Sequence, residues 1–121
     1  MYPGDLVLVF FPFSYREEEP FKKRPVLVVG CTQPGEIGDH AVLVAQVTGS
    51  PDRISSPGQG DIVVEKWQEC GLRKPSVIRA RRLWTPEPRD FAGKPFGRLD
   101  GDVLSDVLQQ VRLLISPQGA S

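Results

Sequence analysis

The feature that most constrains this fold is a succession of short apolar runs, each closed by proline, glycine or a polar turn. The runs are LVLVFF, PVLVV, AVLVAQV, DIVV and SVIRARRL. They are rich in β-branched and aromatic residues, which predicts short strands. The 12 prolines and 12 glycines suit tight turns between such strands, and a length of 121 residues predicts one domain over residues 1–121.

The runs predict strands over residues 4–13, 24–30, 40–48, 61–65 and 75–83, with a further short strand within 94–99. Residues 14–23 are predicted to form a polar loop, which is long for a hairpin. The stretch EKWQECGL is interpreted as either one helical turn or an irregular crossing.

Only the last segment has the apolar spacing of a long helix. Between residues 100 and 115, apolar side chains recur at intervals of three and four, and Asp100 stands where an N-cap is expected. The members of this series are Leu104, Val107, Leu108, Val111, Leu114 and Ile115. Five strands followed by one helix predict a mainly β fold, a small antiparallel barrel with a C-terminal helix at about 100–115.

Positive charge is concentrated in two short runs although the formal net charge is zero. The neutral total excludes a globally basic nucleic-acid coat but leaves room for a local basic patch. The runs hold eight of the fifteen basic residues: Lys22, Lys23, Arg24, Arg73, Lys74, Arg79, Arg81 and Arg82. Solvated surface charge is the alternative interpretation for any one of them.

The sequence offers no set of metal ligands with zinc spacing. It has two cysteines, Cys31 and Cys70, without a CxxC pair, and one histidine, His40. The sequence alone does not exclude a disulfide between the two cysteines. Neither a signal peptide nor a membrane-spanning run is recognisable, so we expect a cytoplasmic protein that does not associate with membranes.

Strand alternation predicts which polar side chains lie together. Residues two apart share a face, so Gln46 and Thr48 form the polar end of the face that carries Val42 and Val44. By the same rule, Val77, Arg79, Arg81 and Leu83 are predicted to share one face of the fifth strand. Because burying an unpaired guanidinium is costly, both arginines should face solvent, a carboxylate or a polyanion.

Arg24 directly precedes a proline at the start of the second strand. A residue before proline is confined to extended backbone, which gives this side chain a stiff base. A guanidinium fixed in this way suits bidentate binding of a phosphate. An edge arginine that discourages aggregation is the alternative.

Taken together, these segments resemble the MazF/PemK toxins of bacterial toxin–antitoxin systems over residues 3 to about 112. The matching stretches are PGDLVLVFFPF, KKRPVLVVG, VLVAQVTGS, GDIVVEKWQECGLRKPSVIRARRLWT and FGRLDGDVLSDVLQQV. The resemblance implies an SH3-like β-barrel with a C-terminal helix, a homodimer, and cleavage of single-stranded RNA without metal or cofactor. It also implies a cognate antitoxin whose tail occupies the RNA groove.

The resemblance further assigns roles to individual residues. Arg24 matches the catalytic arginine of the family's RP motif, and Thr48 matches the threonine that ends the third strand. Arg79 falls where some members carry a functional arginine, but those members have an aspartate two residues later, where this chain has Arg81. The departure puts a carboxylate base at that position in doubt.

RNA contacts are expected from side chains around this groove. The predicted set is Ser14, Tyr15, Lys23, Gln46, Arg79 and Arg81. The alternatives are a barrel of the same family that binds antitoxin or nucleic acid without cutting, a toxin that poisons a topoisomerase, and a plain SH3-like interaction module. Retention of both Arg24 and Thr48 favours the endoribonuclease.

Overall fold

The computed structural model describes residues 1–10, 23–32 and 41–116. Within these ranges the strands are β1 (Asp5–Phe10), β2 (Lys23–Cys31), β3 (Val42–Thr48), β4 (Asp61–Val64), β5 (Ser76–Trp84) and β6 (Gly97–Arg98). The helices are α1 (Pro51–Ser55) and α2 (Gly101–Ile115), with a 3₁₀ turn at Pro88–Asp90. The strands pair antiparallel in the order β4-β5-β3-β2-β1-β6 and form a curled half-barrel.

The first core lies between one face of the sheet and α2. Leu27, Ala45 and Ile78 from the sheet are fully buried against the helix residues Val107 and Val111. Their spacing of four residues puts both valines on one side of α2. Burial of this apolar face, more than helix propensity, stabilises the helix.

A second core covers the opposite face of the central strands. Its fully buried members include Val26, Val28 and Val44. Trp84, the last residue of β5, and Phe91, from the chain that follows β5, pack against it. Residues 26–29 are therefore buried without interruption, which explains why this strand is a continuous apolar run instead of an alternating one.

Within the described residues, the predicted strands and the predicted C-terminal helix are confirmed, with four details added; residues 11–13 of the first predicted strand and 14–22 of the predicted loop lie outside the described residues. The EKWQECGL stretch forms turns, and α1 was not foreseen because a single turn carries little periodic signal. Asp100 occupies the N-cap position of α2 without a capping hydrogen bond from its side chain. Leu114 and Ile115 are exposed, since Val111 is the last buried residue of the helix and the final turn extends beyond it.

A large bulge in β5 corrects one prediction. Ala45 pairs with Leu83 while the next residue, Gln46, pairs with Arg79, so three residues of β5 are unmatched. Across such a bulge, side chains no longer alternate regularly between the two faces of the sheet. Leu83 therefore packs toward the core that contains α2, and the prediction that it shares a face with Arg79 is wrong.

The two cysteines are free and lie in different cores. Cys70 belongs to the core that contains α2, and Cys31 packs against the core on the opposite face. Burial raises the pKa of the Cys70 thiol, with a smaller contribution from Glu69. In the part of the chain that the structure describes, no helix has the length and apolar character needed to cross a bilayer.

We expect Gly97→Ala to lower the free energy of unfolding by about 1–3 kcal/mol, the usual range for an overpacked site. A Cβ at Gly97 would overlap the backbone carbonyl of Cys70, which cannot move aside like a side chain. Gly101→Ala is the matched control, because a Cβ there meets nothing within 4 Å. Urea denaturation measures both, and equal midpoints for the two variants would contradict the backbone-contact explanation.

Candidate functional site

A row of cross-strand neighbours runs over four adjacent strands on the face opposite α2. Val26 of β2 pairs with Gln46 of β3, Gln46 pairs with Arg79 of β5, and Arg79 pairs with Asp61 of β4. The apolar character of this face therefore gives way to polar side chains within one row. Cross-strand partners are direct neighbours, so the row brings an amide, a guanidinium and a carboxylate together.

Arg24 and Thr48 stand beside this row. The β2–β3 ladder ends at the Val26–Gln46 pair, and two further residues along its register place Arg24 opposite Thr48. Steps of two preserve the face, so both residues belong to the face of Val26 and Gln46. Both are half-buried. Strand alternation predicts that Gln46 and Thr48 share a face, and the observed pairing agrees with this and brings Arg24 and Arg79 to the same face.

The Thr48 hydroxyl has a defined orientation. Its oxygen accepts a hydrogen bond of 3.3 Å from the backbone N–H of Ser50, in the turn that leads to α1. A hydroxyl that accepts on its oxygen retains its own hydrogen for donation to a second partner. Thr48 can therefore donate to an anionic oxygen placed over this face.

The Arg79 guanidinium lies between the amide of Gln46 and the carboxylate of Asp61. Its Nη1 donates to Gln46 Oε1 at 3.3 Å, and its Nε lies 3.8 Å from Asp61 Oδ1. The Nε is buried and has no hydrogen-bond partner. About 20% of the Arg79 side chain is exposed, so the group can be reached from solvent.

The pKa of Arg79 is lowered, chiefly because burial disfavours its charged form. The positive charges of Arg53 and Arg82 lower it further, and the negative charge of Asp61 opposes them. Arg79 thus sits in a locally cationic environment in which one carboxylate offsets several guanidinium groups.

Arg81 makes its contacts at the turn before β4. Its Nη1 donates to Gln59 Oε1 at 3.2 Å, and its side-chain stem lies against Gly60, where a Cβ would collide with it. Gly60 has φ +79°, a conformation suited to glycine. The bulge in β5 begins directly after Arg79, so the two-residue spacing does not by itself place Arg81 beside Arg79.

Lys23 opens β2, one residue before Arg24. Its ammonium lies 5.7 Å from the centre of the Phe10 ring, a cation–π distance. The remaining predicted RNA contacts, Ser14 and Tyr15, lie outside the described residues, and so does His40.

Two residues of the site were not found from the sequence, Asp61 and Arg53. Asp61 is the first residue of β4, and Arg53 lies in α1. No local sequence pattern marks either residue as part of the site. Asp61 lies near Arg79 because β4 pairs with β5, and Arg53 lies near Asp61 because α1 follows β3 and turns back toward β4. Among the described residues, no three His, Cys, Asp or Glu side chains are grouped in a way that could hold a metal ion.

Comparison with known protein families identifies the family of this chain. A family model described as PemK-like, MazF-like toxin of type II toxin–antitoxin system matches residues 2–115. The chain belongs to this toxin family. No significant match exists among curated protein sequences.

Solved MazF structures have the same fold. A MazE–MazF structure from Deinococcus radiodurans has a TM-score of 0.65 at 15% identity, covering 96% of this chain and 95% of that chain. MazF of the same organism gives 0.65 at 16% identity, with 97% of each chain covered. The Mycobacterium tuberculosis toxin MazF-mt6 gives 0.63 at 19% identity, covering 90% of this chain and 93% of that chain. These matches confirm the predicted mainly β fold with its C-terminal helix.

Proposed function

We propose that this MazF/PemK family member is a metal-independent, sequence-specific endoribonuclease that cleaves single-stranded RNA. The observation that supports this best is the shared face of Arg24 and Thr48, opposite each other in the β2–β3 register and beside Gln46 and Arg79. Two guanidinium groups, a hydroxyl and an amide at the polar end of this face suit a phosphodiester with its flanking bases.

The reaction uses the RNA itself as nucleophile. The 2′-oxygen forms a bond to the adjacent phosphorus while the bond from phosphorus to the 5′-oxygen breaks. The 2′-hydroxyl loses a proton to a base and the 5′-oxygen gains one, which leaves a 2′,3′-cyclic phosphate and a 5′-hydroxyl. The protein has to orient the attack and stabilise the charge on the phosphoryl oxygens.

The site residues divide this work according to their chemistry. Arg24 supplies a planar pair of donors to the developing oxyanions. Thr48 donates its hydroxyl hydrogen to a phosphoryl oxygen, and Arg79 binds the scissile or a neighbouring phosphate. Because arginine keeps its proton in proteins, the base is a group other than Arg24. The acidic residues Glu17–Glu19 of the first loop, which lie outside the described ranges, are candidates from the sequence.

We further propose that a cognate antitoxin binds this groove and that the toxin acts as a homodimer in the cytoplasm. A MazE–MazF structure is among the structural neighbours, which supports a protein partner of that kind. A carboxylate-bearing antitoxin segment would compete with RNA for Arg24 and Arg79 through the same charge.

A family barrel that binds without cutting is the second candidate. Arg81 favours it, because some relatives carry an aspartate at that position and this chain substitutes a cation. The two functions separate in one experiment: incubation of the purified protein with a long single-stranded RNA in EDTA, followed by mapping of the fragment ends. Defined cuts with 5′-hydroxyl ends support the enzyme, and retention of intact RNA on the protein supports the binder.

Arg24→Lys should greatly reduce the initial rate of RNA cleavage. An ammonium keeps the charge but cannot offer two parallel donors in a plane. Arg112→Lys is the control, since that exposed side chain belongs to α2, which packs on the other face of the sheet. Full activity of the Arg24→Lys variant on a defined RNA would rule out the bidentate role.

Thr48→Val should lower the cleavage rate on the order of 10²-fold, as when one oxyanion-hole donor is removed, with little change in RNA affinity. The valine keeps the branched shape and removes the hydroxyl. Thr48→Ser restores the donor and should recover most of the rate. Equal rates for the valine variant and the wild type would make Thr48 a structural residue of the strand end.

Arg81→Ala should reduce the slope of log affinity against log salt by about 0.7, the value for one phosphate contact with single-stranded RNA. The rate at saturating RNA should change little, because Arg81 would position the strand and not the reacting atoms. Arg112→Ala on α2 is the control and should leave the slope unaltered. A slope equal to that of the wild type would remove Arg81 from the RNA-binding set.

A further inference from the structure

Asp61 is a buried carboxylate shared by two arginines. Its side chain is 5% exposed, its Oδ1 lies 3.8 Å from Arg79 Nε, and its Oδ2 lies 3.7 Å from Arg53 Nη1. The same Oδ2 accepts a hydrogen bond of 2.8 Å from the backbone N–H of Gly58. Both oxygens are thus engaged from within the protein, on the strand next to Arg79.

This arrangement holds together two groups that repel each other. Like charges brought to one carboxylate repel each other, and the negative charge that both of them contact offsets part of that repulsion. Burial is the main cause of the lowered pKa of Arg79, and the neighbouring charges act in opposite directions on it, since Arg53 lowers it and Asp61 raises it. Without Asp61, Arg79 and Arg53 would move apart or turn toward solvent.

The chain path places Arg53 near the proposed reaction centre. Helix α1 begins at Pro51, three residues after Thr48, and returns Arg53 toward Asp61 at the start of β4. The Arg53 side chain is 37% exposed, so its guanidinium can meet a ligand while it stays paired. Thr48, Arg79 and Arg53 therefore lie around the same edge of the sheet.

A role for Asp61 as the base is less consistent with this geometry. Both of its oxygens already face protein groups, and its side chain is only 5% exposed, so an RNA hydroxyl would have little access to it. Its engagement by Gly58 also fixes the side chain, so that its orientation toward the arginines is set by the backbone.

We propose that Asp61 is a positioning residue that holds Arg79 and Arg53 side by side, and that Arg53 is a second phosphate-binding arginine of the site. The inference rests on the proposed RNA cleavage. It deepens that proposal by assigning the RNA strand two adjacent guanidinium contacts beyond Arg24. It also supplies a function for an acid near Arg79 in a chain that lacks the aspartate two residues later.

The test compares Asp61→Asn with Asp52→Asn. Both variants remove one negative charge, but Asp52 is an exposed residue of α1 next to Arg53. Charge alone predicts that both bind RNA as well as or better than the wild type, since each makes the protein more positive. If Asp61 positions the two arginines, Asp61→Asn should instead lower kcat/KM on the order of 10- to 100-fold, as expected when a clamping group is misplaced.

A double substitution separates positioning from a general structural effect. In an Arg79→Ala background, Asp61→Asn should cost much less than it does in the wild type, because the residue that it positions is gone. Urea midpoints of all variants show whether the fold is kept. Arg53→Ala gives an independent measure that leaves Asp61 its contacts with Arg79 and Gly58, and it should reduce the salt slope of RNA binding by about 0.7.

The outcomes distinguish the inference from the function on which it rests. A wild type that neither cuts nor binds RNA overturns the proposed function and this inference with it. An active wild type with equal kcat/KM in the Asp61→Asn and Asp52→Asn variants overturns the inference alone. An unchanged salt slope in Arg53→Ala removes Arg53 from the site, and additive losses in the double variant show that Asp61 does not act through Arg79.

Discussion

The structure depends on the burial of strands β2 and β3 on both faces. Val26, Leu27 and Val28 are fully buried although successive side chains point in opposite directions. Two separate cores are therefore required, one closed by α2 and the other by chain that follows β5. A polar side chain in the middle of either strand would lose its hydration without compensation, so polar groups can occur only toward the strand ends.

The candidate site lies toward the strand ends, where side chains are no longer fully buried on both faces of the sheet. Toward the start of β2 and the end of β3, the second face changes from Val28 and Val44 to Arg24, Gln46 and Thr48. Polar groups there are half-buried, which keeps them oriented and still reachable. The apolar cores thus hold the strands in place, and the residues of the candidate site lie at the strand ends. A site on rigid strands is held more accurately than one on loops.

The sequence was sufficient to predict the strands, the terminal helix and the common face of Gln46 and Thr48, because these follow from local composition and alternation. It was not sufficient where the answer depends on long-range pairing or on a break in alternation. Leu83 was assigned to the wrong face because the β5 bulge leaves three residues unmatched. No local sequence pattern indicates such a bulge. Asp61 was missed since nothing local indicates that β4 pairs with β5 at Arg79.

The pairing of Asp61 with Arg79 also explains how a chain of zero net charge can carry a local cationic site. The buried acid neutralises part of the charge that Arg53 and Arg79 bring to one place, which lowers the cost of assembling them in the absence of a ligand. Although β5 has Arg81 and no acid two residues after Arg79, β4 provides a carboxylate next to Arg79 from the neighbouring strand.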